Sequence, residues 1–309
     1  MNQDAGLRTE QCPAQLKPAD STTSATFAVR DYNLAATLNS GQTFRWRQQG
    51  QGWIGIIGDR WVRLRAHASS LTAGTAEPVA DWNWLKEYLQ LDLDLETVLR
   101  TFPADEPMQA AVAACRGLRL LRQEPWECLA SFILSSTKQI SQIRQIIARL
   151  SECFGRPVAV PPGQPPAWAF PSAVRLAETD EADLRACKMG FRAPFLLAAA
   201  RRVAGGELNL PSLRDMPPEN ARAALMRLPG VGPKIANCVL LFAYGFQSAF
   251  PVDVWINKAL RRYYFGRGRV KAERVRRFAD SHFGPHAGYA QQYLFHYMRT
   301  QSPRGMKGK

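Results

Sequence analysis

The apolar residues of this chain follow two different periods, and the change between them divides the sequence. From about residue 26 to 66, apolar and polar positions alternate, as in FRWR (44–47), WIGII (53–57) and WVRLR (61–65). A period of two is typical of strands with one buried and one wet face. We therefore expect an antiparallel sheet here, with a tight turn at the Gly-Asp pair between the last two runs.

Beyond about Trp82, apolar positions recur at helical spacing. The segments predicted to be helical are residues 108–118, 127–153, 172–178, 182–188, 193–204, 219–228, 234–244, 254–264, 272–283 and 288–300. A proline-rich stretch, residues 157–166, interrupts them and predicts a surface loop.

These patterns predict an α+β fold, in which an N-terminal antiparallel β-sheet domain precedes a mainly α-helical domain. The sheet domain with its flanking helices is expected at residues 25–117 and the helical domain at 118–300. Residues 1–24 and 301–309 lack apolar patterning and are expected to be tails, the second of them basic. A chain of 309 residues is long enough to build both cores.

The formal net charge of +14 indicates the kind of partner. Such an excess favours a polyanion, most simply nucleic acid, over the alternative of a merely basic protein. No apolar run is long enough to span a bilayer, so no membrane association is expected. Residues 1–24 lack the charged start and apolar stretch of a signal peptide. We expect a monomer in the cytoplasm of a prokaryote, associated with the nucleoid, or in the nucleus of a eukaryote.

The cysteines and histidines do not predict a metal site or any other cofactor site. The six cysteines contain no CxxC pair and no spacing of the kind that holds an iron–sulfur cluster. His282 and His286 are four residues apart, but Gly284 and Pro285 interrupt the helix that would place them on one face.

A glycine-rich turn lies between two predicted helices, in a helical hairpin expected at residues 219–246. Gly230 and Gly232 surround Val231 and permit backbone conformations that other residues avoid. Backbone N–H groups there, with the N-terminus of the next helix, can bind a phosphate. The alternative is an ordinary helical hairpin, which uses glycine for the same steric reason.

Lys234 and Asp253 are the candidate catalytic residues of this segment. Lys234 begins the second helix of the hairpin, where the macrodipole disfavours a cation, and a neutral amine can form a Schiff base with a sugar carbon. The alternative is a lysine that contacts a phosphate. Cys238 shares its helix face, either as a site residue or as a core filler. Asp253 is a natural N-cap, and its carboxylate can also stabilise an oxocarbenium-like sugar.

Several motifs together resemble those of the 8-oxoguanine DNA glycosylases, a branch of the superfamily that combines a helix-hairpin-helix with a Gly/Pro-rich loop and an aspartate. Residues 228–253 (LPGVGPKIANCVLLFAYGFQSAFPVD) resemble the superfamily element, and residues 40–46 (SGQTFRW) resemble the motif of this branch. The other matching motifs are ECLASFI with two following serines (127–136), GFRA (190–193) and GYAQ with Phe295 (288–295). The resemblance covers residues 26–300.

The resemblance implies a role for each matching residue. Lys234 is the nucleophile that attacks C1′, with strand cleavage by β-elimination, and Asp253 is the essential aspartate. The base-binding residues implied are Gly41, whose carbonyl accepts the N7–H of 8-oxoguanine, Cys238 and Phe295, which stack on the flipped base, and Gln291, which bonds its edge. The DNA-binding residues proposed are Thr137, Lys138, Gln139, Phe191 as a wedge, Arg192 on the opposite cytosine, Gly230, Val231, Gly232 and Trp255. The implied partner is double-stranded DNA containing an oxidised purine.

The sequence departs from the family at four places around this site. Thr137, Lys138 and Gln139 stand where eukaryotic members carry an asparagine run, and Gln142 stands where they carry an arginine. Trp255 replaces a phosphate-binding histidine, and Met298 replaces an acidic residue. Preference for the base opposite the lesion is therefore open.

Two alternatives to an 8-oxoguanine glycosylase follow from the same residues. One is a glycosylase of the superfamily for another damaged base. The absence of cysteines after Cys238 excludes members with a C-terminal iron–sulfur cluster, and Lys234 argues against a purely monofunctional enzyme. The other is a non-catalytic DNA-binding protein, in which loss of Lys234 would only weaken affinity.

Overall fold

The computed structural model of the chain describes residues 23–136, 139–266, 268 and 270–301, and it begins with a five-stranded antiparallel sheet. The strands are β1 (Thr23–Ala28), β2 (Arg47–Gln49), β3 (Gly52–Ile57), β4 (Arg60–Ala66) and β5 (Ser70–Thr75), in the order β1-β5-β4-β3-β2. In the hairpin of β3 and β4, Ile56 is opposite Trp61. This hairpin confirms the meander predicted from the alternating pattern.

Helices form most of the remaining described chain. They are α1 (Leu34–Asn39), α2 (Asn83–Leu89), α3 (Leu95–Leu99), α4 (Glu106–Cys115), α5 (Pro125–Leu134), α6 (Ile140–Phe154), α7 (Ala173–Ala177), α8 (Glu181–Leu184), α9 (Ala193–Ala204), α10 (Pro218–Met226), α11 (Pro233–Val239), α12 (Val254–Leu260), α13 (Ala272–Phe278) and α14 (Ala287–Gln301). A two-stranded hairpin of β6 (Pro157–Val158) and β7 (Ala167–Trp168) lies between α6 and α7. Among the helices described, none is both long enough and apolar enough to cross a membrane.

The buried apolar residues form two main clusters. Leu64 and Leu71 of the sheet are fully buried against Leu38 of α1 and Leu85 of α2. A larger cluster joins the helices from α3 to α14 and includes Phe44, which precedes β2. Removal of this apolar area from water stabilises both domains. The predicted α+β class is therefore confirmed.

Several predicted boundaries were wrong. Residues 34–39, predicted within the strand region, form α1, because Asn33 caps that helix by accepting the Ala36 N–H. FRWR (44–47) alternates in burial but contributes only its last residue to a strand. β1 begins at Thr23, inside the predicted tail, and β5 was not predicted.

The helical region also differs from the prediction at two places. Residues 127–153, predicted as one helix, form α5 and α6, because Gln139 and Gln142 build a capping box that starts a new helix. The proline-rich loop is present, but β6 and β7 pair at its two ends. The prediction for residues 193–204 was confirmed to the residue, since α9 spans Ala193–Ala204.

Gln42 fixes the turn between α1 and β2 against the helical domain. Its Nε2 donates to the carbonyl oxygens of Thr37 (3.0 Å) and Arg119 (2.8 Å), and its Oε1 accepts from the Leu121 N–H (2.8 Å). Gln292 of α14 donates to the Ser40 carbonyl at 2.9 Å. Gly41 lies between Ser40 and Gln42, and these bonds therefore hold it against the helical domain.

Replacing Gln42 with alanine is expected to lower the free energy of unfolding by roughly 3 kcal/mol, because several buried backbone groups lose their partner. Urea denaturation measures the change. Gln48→Ala on the exposed surface of β2 is the matched control, with no significant change expected. Equal stability of the two variants would contradict this role for Gln42.

Candidate active site

Two adjoining cavities meet beside Lys234. The outer one is a cleft of about 1230 Å³ and the inner one a chamber of about 50 Å³. The residues that line both are Gly41, Phe132, Lys234, Asp253 and Phe295. Cys238 and Gln291 line the inner cavity only. The structure thus brings together the six residues predicted for catalysis and base binding, which come from distant parts of the sequence.

Lys234 reaches the cavities from the first turn of α11. Pro233 precedes it at a position where a missing N–H costs the helix nothing. Its Nζ donates to Ser135 Oγ at 3.1 Å and lies 5.0 Å from the centre of the Phe132 ring. Ser135 is at the end of α5, so the break between α5 and α6 places its hydroxyl beside the lysine.

Asp253 is the N-cap of α12, as predicted. Its Oδ1 accepts the Ile256 N–H at 2.8 Å, which fixes the carboxyl group in the cavity wall. Burial raises the pKa of the Asp253 carboxyl, and the Ile256 N–H and the charge of Lys234 oppose that rise. The carboxyl group is therefore within electrostatic reach of the lysine.

Cys238 and Phe295 provide a thiol and an aromatic ring to the inner cavity. Burial raises the pKa of the Cys238 thiol to about 11, with the charge of Lys234 opposing the rise. The thiol is therefore neutral near pH 7. At about 50 Å³ the cavity has room for only a few water molecules. A larger planar ligand must move one of the walls, and Phe295 is half-buried.

Gly41 and Gln291 offer polar groups to the inner cavity. Gly41 has φ +81°, and a Cβ built on it would lie 3.2 Å from Phe295 Cε1 and 3.0 Å from Ile140 Cδ1. Only glycine fits there without strain. The Gln291 side chain is 3% exposed, and its Oε1 has no hydrogen-bond partner in the described chain. Because unpaired buried acceptors are rare, this oxygen is suited to a ligand donor.

The hairpin turn lies between α10 and α11, outside the residues that line the two cavities. Gly230 has φ +77°, and a Cβ there would come within 2.7 Å of the Phe195 ring. Val231 is buried, and its N–H donates to the Leu228 carbonyl at 3.1 Å. Gly232 is extended, with open space at its Cβ position. First-turn N–H groups of α11 lack intrahelical acceptors, so the anion-binding capacity lies there.

Phe191 and Arg192 form a projecting pair before α9, also outside the two cavities. Phe191 is a large apolar side chain with 54% exposure. The Arg192 guanidinium lies 4.4 Å from the centre of its ring and 5.7 Å from that of Phe195. Burial lowers the pKa of Arg192, and its Nε is unpaired within the described chain. The pair presents an apolar wedge with a cation behind it.

The remaining DNA-binding candidates lie around the outer cleft, except those outside the described residues. Gln139 and Trp255 line the cleft, and Trp255 stacks under Lys258 at 4.8 Å. Gln142, which replaces an arginine, accepts the Gln139 N–H at 3.0 Å in the capping box. Thr137 and Lys138 lie outside the residues that the structure describes.

The imidazoles of His282 and His286 each contact a different residue. His282 Nε2 is 2.7 Å from Asp105 Oδ2, and His286 Nδ1 is 2.9 Å from Thr101 Oγ1. Gly284 between them has φ +65° and ends the preceding helical turn, as predicted.

Sequence reasoning missed several residues of the site. These are Asn39, Phe132, Ser135, Arg144, Val254 and Arg299, all of which line the outer cleft. Ser135 belongs to the ECLASFI motif with its two following serines. Because residues 127–153 were predicted to be one helix, the sequence did not indicate that α5 ends at this serine. Val254 is an apolar residue with 71% exposure at the start of α12, and that position beside Asp253 was a usable signal.

Comparison with known sequence families covers most of the chain. Residues 25–129 match the family described as 8-oxoguanine DNA glycosylase, N-terminal domain, and residues 130–285 match HhH-GPD superfamily base excision DNA repair protein. The N-glycosylase/DNA lyase OGG1 of Arabidopsis thaliana is 32% identical, over 86% of this chain and 77% of that protein. The N-glycosylase/DNA lyase of Saccharomyces cerevisiae is 30% identical, over 85% of this chain and 82% of that protein.

A solved structure has the same architecture. It is the Clostridium acetobutylicum 8-oxoguanine glycosylase/lyase in complex with dsDNA containing cytosine opposite 8-oxoG. It superposes with a TM-score of 0.83 and 31% identity, covering 89% of this chain and 98% of that chain. With both sequence domains matched, the chain belongs to the 8-oxoguanine DNA glycosylase family of the HhH-GPD superfamily.

Proposed function

We propose that this protein is a base-excision repair glycosylase that removes 8-oxoguanine from double-stranded DNA and then cleaves the strand as an abasic-site lyase. The observation that carries the proposal is the meeting of Lys234 and Asp253 at the wall of a cavity that also holds Cys238, Gln291 and Phe295. The net charge of +14 favours a DNA partner. Such an enzyme acts where the genome is, in the nucleoid of a prokaryote or the nucleus of a eukaryote.

The target base must leave the duplex before it can react. A base inside a stacked helix is out of reach, so the nucleotide rotates out and its base enters the inner cavity. There it stacks between Cys238 and Phe295, which requires Phe295 to move aside. The unpaired Oε1 of Gln291 accepts from the N–H groups of the guanine edge. The Gly41 carbonyl accepts from N7–H, a donor that 8-oxoguanine has and guanine lacks.

Lys234 and Asp253 perform the chemistry. Lys234 Nζ attacks C1′ after losing its proton, the bond from C1′ to the base breaks, and the base leaves with the electron pair and takes up a proton. The Asp253 carboxylate stabilises the positive charge that develops on the sugar. The sugar ring then opens to a Schiff base between Nζ and C1′. Loss of a C2′ proton expels the 3′ phosphate, and water releases the lysine.

The exposed elements hold the DNA around this centre. The hairpin turn at Gly230–Gly232 and the first turn of α11 bind backbone phosphates. Phe191 fills the stack vacated by the base, and Arg192 contacts the opposite base. Gln139 and Trp255 complete the contacts at the outer cleft. Thr137 and Lys138, outside the described residues, are proposed as further DNA-binding residues.

Base release from four duplexes tests the proposal. Each carries one 8-oxoguanine, opposite C, A, G or T, and borohydride traps any Schiff base. We expect base release, strand cleavage and a covalent adduct on at least one duplex, and the four rates rank the preference for the opposite base. Binding without base release or adduct on all four would overturn the proposal.

Gly41→Ala is expected to slow base release by about 100-fold, because the new methyl group would collide with Arg299 Nη1, Ile140 and Phe295 and displace side chains around the base position. Affinity for a duplex with an abasic analogue should not change, since no base is present. Gly50→Ala is the matched control, with φ +57° and no atom within 4 Å of its Cβ position. A wild-type rate in Gly41→Ala would contradict this role for the cavity, and an equally slow rate in both variants would assign the loss to backbone strain.

A further inference from the structure

Arg299 lies at the boundary between the two cavities. It is one helical turn after Phe295 on α14, and its guanidinium carbon is 5.4 Å from the centre of the Phe295 ring. Its Nη1 lies 2.9 Å from the position of a Cβ built on Gly41. The arginine therefore adjoins two residues that line the inner cavity, while its own side chain lines the outer cleft.

Asn39 holds the Arg299 side chain in this position. Arg299 Nη2 donates to the Asn39 carbonyl, and Arg144 Nη2 donates to Asn39 Oδ1 at 3.3 Å. One asparagine at the end of α1 thus orients two guanidinium groups. A side chain with so many rotatable bonds adopts a single position at an entropic cost, which this anchor offsets.

One donor of Arg299 is left without an acceptor. Its Nη1 is buried and has no hydrogen-bond partner among the residues that the structure describes. Burial and the charge of Arg144 both lower the pKa of Arg299, and the charge of Asp253 opposes them. An unpaired buried donor on a charged group is unfavourable, and most buried polar groups have a partner, so this donor calls for an acceptor that the described chain does not supply. The unpaired atom is also the one beside Gly41.

A flipped 8-oxoguanine presents complementary groups at this place. The edge that carries N7 presents O6, N7–H and O8, which are an acceptor, a donor and an acceptor. If the Gly41 carbonyl accepts from N7–H, the two oxygens lie on either side of that bond. Arg299 Nη1 is adjacent to Gly41 and has a proton to donate.

We propose that Arg299 is a base-binding residue, whose Nη1 donates a hydrogen bond to one of the two carbonyl oxygens that flank N7–H in the flipped 8-oxoguanine. This inference rests on the proposed function and adds a second group that recognises the lesion. A contact to O8 discriminates against guanine directly, because guanine has no oxygen there. A contact to O6 orients the base without that discrimination.

Arg299→Met and Arg299→Lys test the inference through two measurements. The first is the single-turnover rate of 8-oxoguanine release, and the second is the affinity, at several salt concentrations, for a duplex carrying a tetrahydrofuran abasic analogue. We expect both variants to release the base about 10- to 100-fold more slowly, because lysine keeps the charge but lacks Nη1. Their affinity for the abasic duplex and its salt dependence should equal those of the wild type.

Arg175→Met is the matched control. Its guanidinium lies 5.8 Å from the centre of the Phe154 ring, and neither residue lines either cavity. A full rate for this variant, and unchanged abasic affinity for the Arg299 variants, show that the proteins are folded. Wild-type rates in the Arg299 variants would overturn the inference. Weaker abasic binding with a shallower salt slope would instead assign Arg299 to a backbone phosphate.

A second lesion locates the acceptor. 8-Oxoadenine keeps O8 and N7–H but carries an amino group in place of O6. Binding is measured in proteins that also carry Lys234→Gln, so that no base is released. If O8 is the acceptor, Arg299→Met weakens binding to the 8-oxoadenine duplex as it does to the 8-oxoguanine duplex. If O6 is the acceptor, Arg299→Met leaves the affinity for the 8-oxoadenine duplex unchanged. If the wild type itself releases no 8-oxoguanine, the proposed function fails first, and that outcome is distinct from failure of the inference.

Discussion

Lys234→Gln is expected to abolish the covalent intermediate and to lower the rate of base release by a factor on the order of 10⁴ to 10⁶, the loss typical of removing a nucleophile. The amide has nearly the length of the amine and can still bond Ser135, so the fold around α11 should be kept. Affinity for an 8-oxoguanine duplex should remain close to that of the wild type. Borohydride trapping, single-turnover kinetics and binding measure the three quantities.

Lys86→Gln is the control for this variant. Lys86 also lies above a phenylalanine ring, 5.9 Å from the centre of Phe27, but it belongs to the sheet domain. The Lys86→Gln variant should form the covalent adduct and release the base at the wild-type rate. A trapped adduct in Lys234→Gln would mean that another amine is the nucleophile. Weaker binding, without base release by either the wild type or the variant, would indicate the non-catalytic alternative.

The neighbouring thiol does not compete with the lysine. Cys238 is one helical turn away, but burial raises the pKa of its thiol to about 11, and only the thiolate is a strong nucleophile. At neutral pH it is a small apolar group, which suits a surface that stacks on a base. This difference supports the proposed division between attack by Lys234 and base contact by Cys238.

The chemistry of the site was predictable because its residues carry local signals. Lys234 follows a Gly-rich turn and a proline, and Asp253 follows a proline and precedes an apolar helix. α9 was predictable for a similar reason, since its apolar stripe ends at two consecutive glycines. Each of these features depends on neighbours in sequence.

The break between α5 and α6 was not predictable from periodicity. Phe132, Ile133, Ile140 and Ile143 are spaced as on a single helix, so the apolar pattern continues across the break. Polar contacts decide it, through the capping box before α6. The role of Arg299 is set by Asn39 and Gly41, about 260 residues earlier, and no pattern in the sequence connects them.

Asp253→Asn is expected to slow base release by about 100- to 1000-fold and to remove the acid limb of its pH dependence. In the proposed mechanism the ionised carboxylate is the active form, and burial raises its pKa. The rate should therefore fall with decreasing pH at a higher pH than an ordinary aspartate would produce. The variant has no carboxyl group to titrate, so its residual rate should not follow that limb. Single-turnover rates across the acid range measure both effects.

This substitution separates the two roles of Asp253, because asparagine is an equally good N-cap. The bond from the Ile256 N–H is kept, so loss of activity does not come from a disordered α12. The raised pKa also predicts the direction in which the stability of the fold changes with pH. Since the folded state raises the pKa of this carboxyl, it binds more protons than the unfolded state, and ionisation destabilises the fold as pH rises through that interval. Asp253→Asn should therefore be at least as stable as the wild type at neutral pH. A wild-type rate of base release in Asp253→Asn, with its stability kept, would make Asp253 a cap and nothing more.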